Sequence, residues 1–179
     1  MSKVMSEKNV QKIVILGAES SGKSQLAEAL ARHYQTVWVP EYLREFVEAK
    51  QRVPLEEEQL HIALTQLERE RVLLPGANNW LFCDTSPMMI ALYSRYYFKQ
   101  IPAKLEDLEL LHDYDFTIVT APDIPWIADG LQRESPAVRQ QIHAQLVETL
   151  DERDIPFLLV EGGLDERLRQ VIFTLDFLS

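Results

Sequence analysis

Little in this chain of 179 residues can form a covalent or metal cross-link: it has one cysteine, Cys83, and four widely separated histidines. A single cysteine excludes an internal disulfide and any zinc site built on several thiolates. Its place inside an apolar run points to a buried, inert thiol. His33, His61, His112 and His143 show no metal-ligand spacing and read as structural or surface residues. No apolar run reaches the roughly 18 residues that a membrane-crossing helix needs, and no signal peptide opens the chain. The expectation is a soluble, cytoplasmic protein with no membrane partner. Basic residues are scarce as well, 18 against 28 acidic, for a net charge of −10. Such a surface repels phosphate backbones, which argues against nucleic acid as a partner. Any phosphate chemistry must rest on a few basic residues placed locally. Glycine is sparse too, six in all, yet Gly17 and Gly22 stand five residues apart in one stretch.

That stretch is Ile13-Val14-Ile15-Leu16-Gly17-Ala18-Glu19-Ser20-Ser21-Gly22-Lys23-Ser24, a β-branched apolar run ending in Gly-x4-Gly-Lys-Ser. Glycines at this spacing let the backbone curl so that successive N–H groups face phosphate oxygens. A helix opening at about Gly22 and running through Gln25 adds its positive N-terminal end. Lys23 is placed to reach the β and γ phosphates of ATP, and the Ser24 hydroxyl to ligate Mg²⁺. Leu26, Ala27, Leu30, Ala31 and Tyr34 then recur on one helical face. The residues from Gly17 to Gln25 are therefore expected to bind ATP.

Five short apolar runs alternate with helical patterns along the rest of the chain. Strands are expected over Val10–Leu16, Thr36–Pro40, Trp80–Asp84, Phe116–Thr120 and Phe157–Val160. Between the second and third, a helix is expected over Glu41–Ala49. A longer one follows, with Leu60, Leu64, Leu67 and Leu74 at near-helical spacing. Ser86-Pro87 and Ser135-Pro136 each read as a serine cap followed by proline at the first helical position. A final amphipathic helix is expected over Leu164–Leu178. The pattern predicts an α/β P-loop NTPase: a doubly wound, mostly parallel five-stranded sheet with helices on both faces, like the nucleoside monophosphate kinases. Residues 1–9 read as a loose leader and residues 10–179 as a single P-loop kinase domain.

Ligands of such a sheet gather at its carboxyl edge. Asp84 ends the third strand, where a carboxylate meets Lys23 and Ser24 and can serve the metal; alternatively it caps the helix that follows. Glu41, Tyr42 and Arg44 follow the second strand, on the side expected to hold the phosphoryl acceptor. Trp126 and Asp129 follow the fourth, in a turn-rich segment. Arg133 and Arg139 lie just beyond, spaced like a lid that brings a guanidinium over transferring phosphate. Tyr93, Tyr96 and Tyr97, at helical spacing, read as packing residues.

Several of these segments together carry a family resemblance. Ile15 to Ser24, then Glu41-Tyr42-Leu43-Arg44-Glu45-Phe46-Val47, Asp84-Thr85, Pro125-Trp126-Ile127-Ala128-Asp129-Gly130-Leu131 and Leu164-Asp165-Glu166-Arg167 occur in order. In these the chain resembles the ribosylnicotinamide kinase domain of NadR-type NAD-salvage proteins. Where that family commonly carries tryptophan ahead of Glu-Tyr-x-Arg-Glu-Phe, this chain has Pro40, with Trp38 two residues earlier. The resemblance implies an ATP- and Mg²⁺-dependent kinase of nicotinamide riboside; with no adenylyltransferase or DNA-binding segment ahead of the phosphate loop, the expectation is the kinase step alone. Lys23, Asp84 and either Arg133 or Arg139 would be catalytic. Glu41, Tyr42, Arg44, Trp126 and Asp129 would bind the acceptor, with Asp84 or Glu41 orienting its hydroxyl. Two alternatives remain open: a kinase of another nucleoside-like acceptor, or a P-loop nucleotide switch that acts on a protein partner.

Overall fold

Ile13, Val14, Ile15 and Leu16 are all fully buried, which requires a strand covered on both faces. They belong to β1 (Gln11–Leu16), the middle strand of a sheet in a computed structural model that describes residues 9–126 and 135–178. The other strands are β2 (Trp38–Val39), β3 (Trp80–Asp84), β4 (Phe116–Thr120) and β5 (Leu158–Val160). Their spatial order is β2-β3-β1-β4-β5, and every pairing is parallel. The expected mostly parallel sheet is thus wholly parallel, because a helical crossover intervenes between every two strands. Those crossovers are α1 (Lys23–His33), α2 (Tyr42–Lys50), α3 (Gln59–Leu73), α4 (Pro87–Phe98), α5 (Ala103–Leu111) and α6 (Pro136–Glu152), with α7 (Leu164–Leu178) closing the chain.

Strand alternation sorts the core into two layers. Val14, Leu16, Cys83 and Val119 pack with Met88, Leu92, Ile142 and Leu146 from α4 and α6. Ile13, Ile15, Phe82 and Ile118 face the other way, onto Leu26 and Leu30 of α1 and Val171 and Leu175 of α7. Truncating one such leucine to alanine costs about 2–5 kcal/mol. A third cluster, around Phe46, Ile62, Ala63, Ile90 and Leu105, joins α2, α3, α4 and α5 beside the sheet.

Two elements differ from their expected form. β2 is only two residues long, because the Thr36 hydroxyl donates to the Trp80 carbonyl and accepts from the Asn78 N–H. That side-chain bridge spaces the chains apart, and ladder pairing starts two residues later. In α3 the buried face is not the leucine stripe: Leu64 is exposed, whereas Gln59, Ile62, Ala63, Gln66 and Glu70 are buried. Packing on α4 and the sheet edge sets the helix's rotation, and polar residues end up inside. Among the described residues no helix is long and apolar enough to cross a membrane.

Candidate active site

The loop between β1 and α1 is shaped from behind. A Cβ on Gly17 would stand 2.1 Å from Thr120 Oγ1 and 2.8 Å from Ser21 Oγ, so the close approach of β4 demands glycine there. Gly22 has φ +85°, and Ser20 takes the other left-handed position at φ 58°. Inside the loop Ser21 Oγ donates to the Ala18 carbonyl at 2.5 Å and pairs with Thr120 Oγ1 at 2.7 Å. Two guanidinium groups hold the loop's outer side: Arg139 Nη1 donates to the Ser20 carbonyl at 3.1 Å, and Arg167 Nη1 to that of Ser21. In a trans peptide the carbonyl and the next N–H point oppositely. With these two carbonyls held by the guanidinium groups, the amides of Ser21 and Gly22 point the other way, and both residues line a cleft beside the N-terminus of α1. An anion is favoured in that position by hydrogen bonds and by the helix dipole.

Arg167 does more than touch the loop. Its Nε donates to the Gly162 carbonyl, and its Nη2 to the Ala121 carbonyl and to Asp123 Oδ1 at 2.6 Å. It therefore ties the ends of β4 and β5 to the loop while almost completely buried. Arg167→Met is expected to lower stability by at least about 2 kcal/mol, read as the urea midpoint, because it strands several carbonyl acceptors.

Register places the acid. Asp84 pairs with Ile15 across β3 and β1, one residue before β1 ends, and its Oδ2 accepts a 2.5 Å hydrogen bond from Ser24 Oγ. Asp84 is fully buried, and its Oδ1 has no hydrogen-bond partner among the described residues. Burial, and after it the charge of Glu41, pushes this carboxyl up to about 6, against the opposing pull of Lys23, Ser24 and Arg44. The next residue, Thr85, is held at φ 78°, a left-handed conformation that β-branched residues avoid. Its N–H donates to the Ile15 carbonyl at 2.9 Å. The cap of α4 is Ser86, whose Oγ accepts from the Met88 N–H, so Asp84 does not serve as a helix cap. Lys23 Nζ lies 3.6 Å from Glu41 Oε2, the carboxylate at the start of α2.

Lys23 stands where two clefts meet. One, of about 200 Å³, is lined by Ser20 to Gln25, Arg44, Ile124 and Pro125. The other is lined by Gly17, Glu19, Lys23, Glu41, Leu43, Gln59, Gln66, Thr85, Met89, Ile90 and Tyr93. The first is cationic and rich in amides, suited to phosphates. The second carries carboxylates and an apolar wall from α4, suited to a hydroxyl-bearing or cationic organic group. For a divalent ion the donors fit: Ser24 Oγ and the unpartnered Asp84 Oδ1 are hard oxygens of the kind Mg²⁺ takes. The described residues hold no cluster of three His, Cys, Asp or Glu side chains. Such an ion would therefore draw the rest of its shell from phosphate oxygens and water, as Mg²⁺ at nucleotide sites does.

The expected site residues separate across these clefts. Lys23, Ser24, Asp84 and Glu41 come together at the carboxyl edge. Arg44 lies in the phosphate cleft, not with the acceptor group. Tyr42 turns away, its ring against Phe46 and His61 and under the Arg69 guanidinium at 4.8 Å. Trp126 is partly buried with Nε1 unpartnered among the described residues, next to Pro125 of the phosphate cleft. Arg139 is buried on the loop's outer side rather than displayed on a lid. Asp129 and Arg133 lie outside the described residues.

Sequence reasoning missed two kinds of participant. Gln66, fully buried, accepts from the Tyr42 N–H at 2.8 Å and donates to the carbonyls of Pro40 and Asp84. It thereby pins both sides of Glu41 to the strand that carries Asp84. Tyr93, read as packing, does stack on Tyr97, but its hydroxyl also accepts from the Glu19 N–H at 3.1 Å and it lines the second cleft.

Known proteins resemble the chain over nearly its whole length. A family model described as an AAA domain matches residues 12–167. The trifunctional NAD biosynthesis/regulator protein NadR of Escherichia coli (strain K12) is 31% identical over 157 residues, covering 85% of this chain and 38% of that protein. The chain thus spans about two fifths of the length of this curated relative. Among solved structures, a NadR protein in complex with NR superposes with TM-score 0.76 at 23% identity, over 94% of this chain and 51% of that one. Thymidylate kinase from Candida albicans superposes with TM-score 0.66 at 15% identity, over 94% and 92%. At these identities the structural likeness speaks for the fold.

Proposed function

Because this chain belongs to the AAA domain family, we propose that its loop carries ATP for chemistry at the adjoining cleft: transfer of the γ-phosphoryl group to the 5′-hydroxyl of a small nucleoside, nicotinamide riboside before others, giving nicotinamide mononucleotide. The observation that carries this reading is the junction at Lys23 of a phosphate cleft with a second, carboxylate-bearing cleft. A nucleotide switch needs only the first. The kinship with NadR supports a place in NAD salvage.

The chain's groups divide the work. The amides of Ser21 and Gly22 bind the triphosphate, with Lys23 and Arg44 neutralising charge that spreads over the γ oxygens in a loose transition state. Mg²⁺, held by Ser24 and Asp84, would supply further neutralisation of the phosphate oxygens. Glu41 accepts the hydrogen bond of the acceptor hydroxyl, orients its oxygen in line with the γ-phosphorus and takes its proton as the bond to the ADP oxygen breaks. Asp84, engaged with Ser24, is the weaker candidate for that proton. Arg139 acts through the loop it supports, and Arg133 remains the candidate for an arginine closing over the γ-phosphate. Trp126 and Asp129 would complete the acceptor side.

Carboxylates from Glu19 and Glu41 together with the −10 surface favour a cationic nucleoside over a neutral one. ADP release measured with nicotinamide riboside, uridine, cytidine and no acceptor tests the reading. We expect acceptor-dependent turnover, with kcat/KM for nicotinamide riboside at least tenfold above the neutral nucleosides. Slow turnover indifferent to acceptor would instead mark a nucleotide switch.

A further inference from the structure

The second cleft has a far end. α3 runs against the strands: Glu70 lies within 3.6 Å of Lys12 near the start of β1, while Gln66 reaches the Asp84 carbonyl at the opposite, carboxyl edge. Gln59 is seven residues further out on the same helix face, about 10 Å along the axis, and it lines the same cleft. Gln59 thus shares one cleft with Glu41 and Lys23. Met89 and Ile90 line it as well and give it an apolar wall.

Gln59 is an amide where an apolar residue would pack more simply. It is buried to 3% exposure. Its one side-chain hydrogen bond among the described residues is a long one, Nε2 to the Leu55 carbonyl at 3.5 Å. A carbonyl can only accept, so this contact fixes which end of the amide is which. Oε1, an acceptor only, is left for whatever fills the cleft.

Resting on the kinase reading above, we propose that Gln59 is a specificity-determining residue: its Oε1 accepts a hydrogen bond from an N–H on the acceptor's base and so selects a carboxamide-bearing riboside over the corresponding carboxylate. A carboxylate placed there offers no proton and sets its own oxygens against Oε1. The site then holds two unmatched acceptors in a buried pocket, the arrangement that gives polar sites their strongest discrimination.

The test compares nicotinamide riboside with nicotinic acid riboside as acceptors in an ADP-release assay, for the wild type, Gln59→Leu and Gln59→Glu. The wild type is expected to favour the carboxamide at least tenfold in kcat/KM. Gln59→Leu should shrink that ratio at least fivefold, through the acceptor KM and with the KM for ATP unmoved. Gln59→Glu keeps the size and the acceptor character and adds charge, so it should widen the ratio; it also serves if the leucine variant fails to fold. A ratio unchanged in the variants, with the wild type turning over a riboside, overturns the role of Gln59 alone. Absence of turnover with either riboside in the wild type overturns the nicotinamide riboside reading and this assignment with it.

Discussion

Lys23→Ala is expected to lower phosphoryl transfer by 10³ or more while leaving the far-ultraviolet circular dichroism unchanged. A factor of 10³ is about 4 kcal/mol of transition-state stabilisation, the scale of a missing preorganised charge at transferring phosphate. The residue stands at the mouth of both clefts and contributes to neither core layer. Its 3.6 Å ion pair with Glu41 joins side chains that are both mostly buried, so truncation also leaves Glu41 with one cation fewer nearby. Two consequences can be separated in steady-state kinetics. Loss of charge at phosphate lowers kcat, and loss of the ion pair raises the acceptor KM or slows proton removal. Lys23→Arg keeps the charge but changes its reach, and should recover acceptor affinity before it recovers kcat. Activity of the alanine variant within tenfold of wild type would refute the catalytic reading of the loop.

The loop and the order of elements were legible because each rests on short-range chemistry. Gly-x4-Gly-Lys-Ser after an apolar run admits few structures, and continuous apolar strands between helical patterns require a parallel sheet covered on both faces. Even there the reasons shifted. Gly17 is required by the approach of Thr120 rather than by a left-handed turn, and the second left-handed position belongs to Ser20. What was not legible depends on how helices rotate once packed. In α3 a leucine stripe suggested one buried face, and the structure buries the face with Gln59, Gln66 and Glu70 instead. A glutamine on a helix carries the same local signal whether it meets water or a strand-end carbonyl. Arg139 and Arg167 are similar: surface-like residues by composition, whose burial is decided by loop carbonyls more than a hundred residues away. Tyr42 sat beside Glu41 in a motif, but adjacent residues on a helix point about 100° apart, and of these two Glu41, at the helix start, lines the cleft while Tyr42 does not.

Asp84→Asn is expected to raise the Mg²⁺ concentration for half-maximal rate at least tenfold and to lower the rate at saturating metal by about 10²-fold. The substitution keeps shape and keeps an oxygen for Ser24 Oγ to donate to, so the 2.5 Å contact need not be lost. What disappears is the negative charge, at a buried position where Oδ1 has no other hydrogen-bond partner among the described residues. If Asp84 acted only as a helix cap, asparagine would cap nearly as well and neither number would move. Ser86 supplies the contrast, since it does cap α4: Ser86→Ala should cost about 1 kcal/mol of stability and leave the metal titration where it was. Removing a buried charge that burial holds at a raised pKa also relieves a desolvation cost, so Asp84→Asn should not lower the thermal midpoint of the metal-free protein. A variant that is at least as stable yet weaker for metal marks a group kept for chemistry rather than for folding. If stability falls and the metal requirement stays, Asp84 is structural and the carboxylate serving the metal must be sought at Glu41.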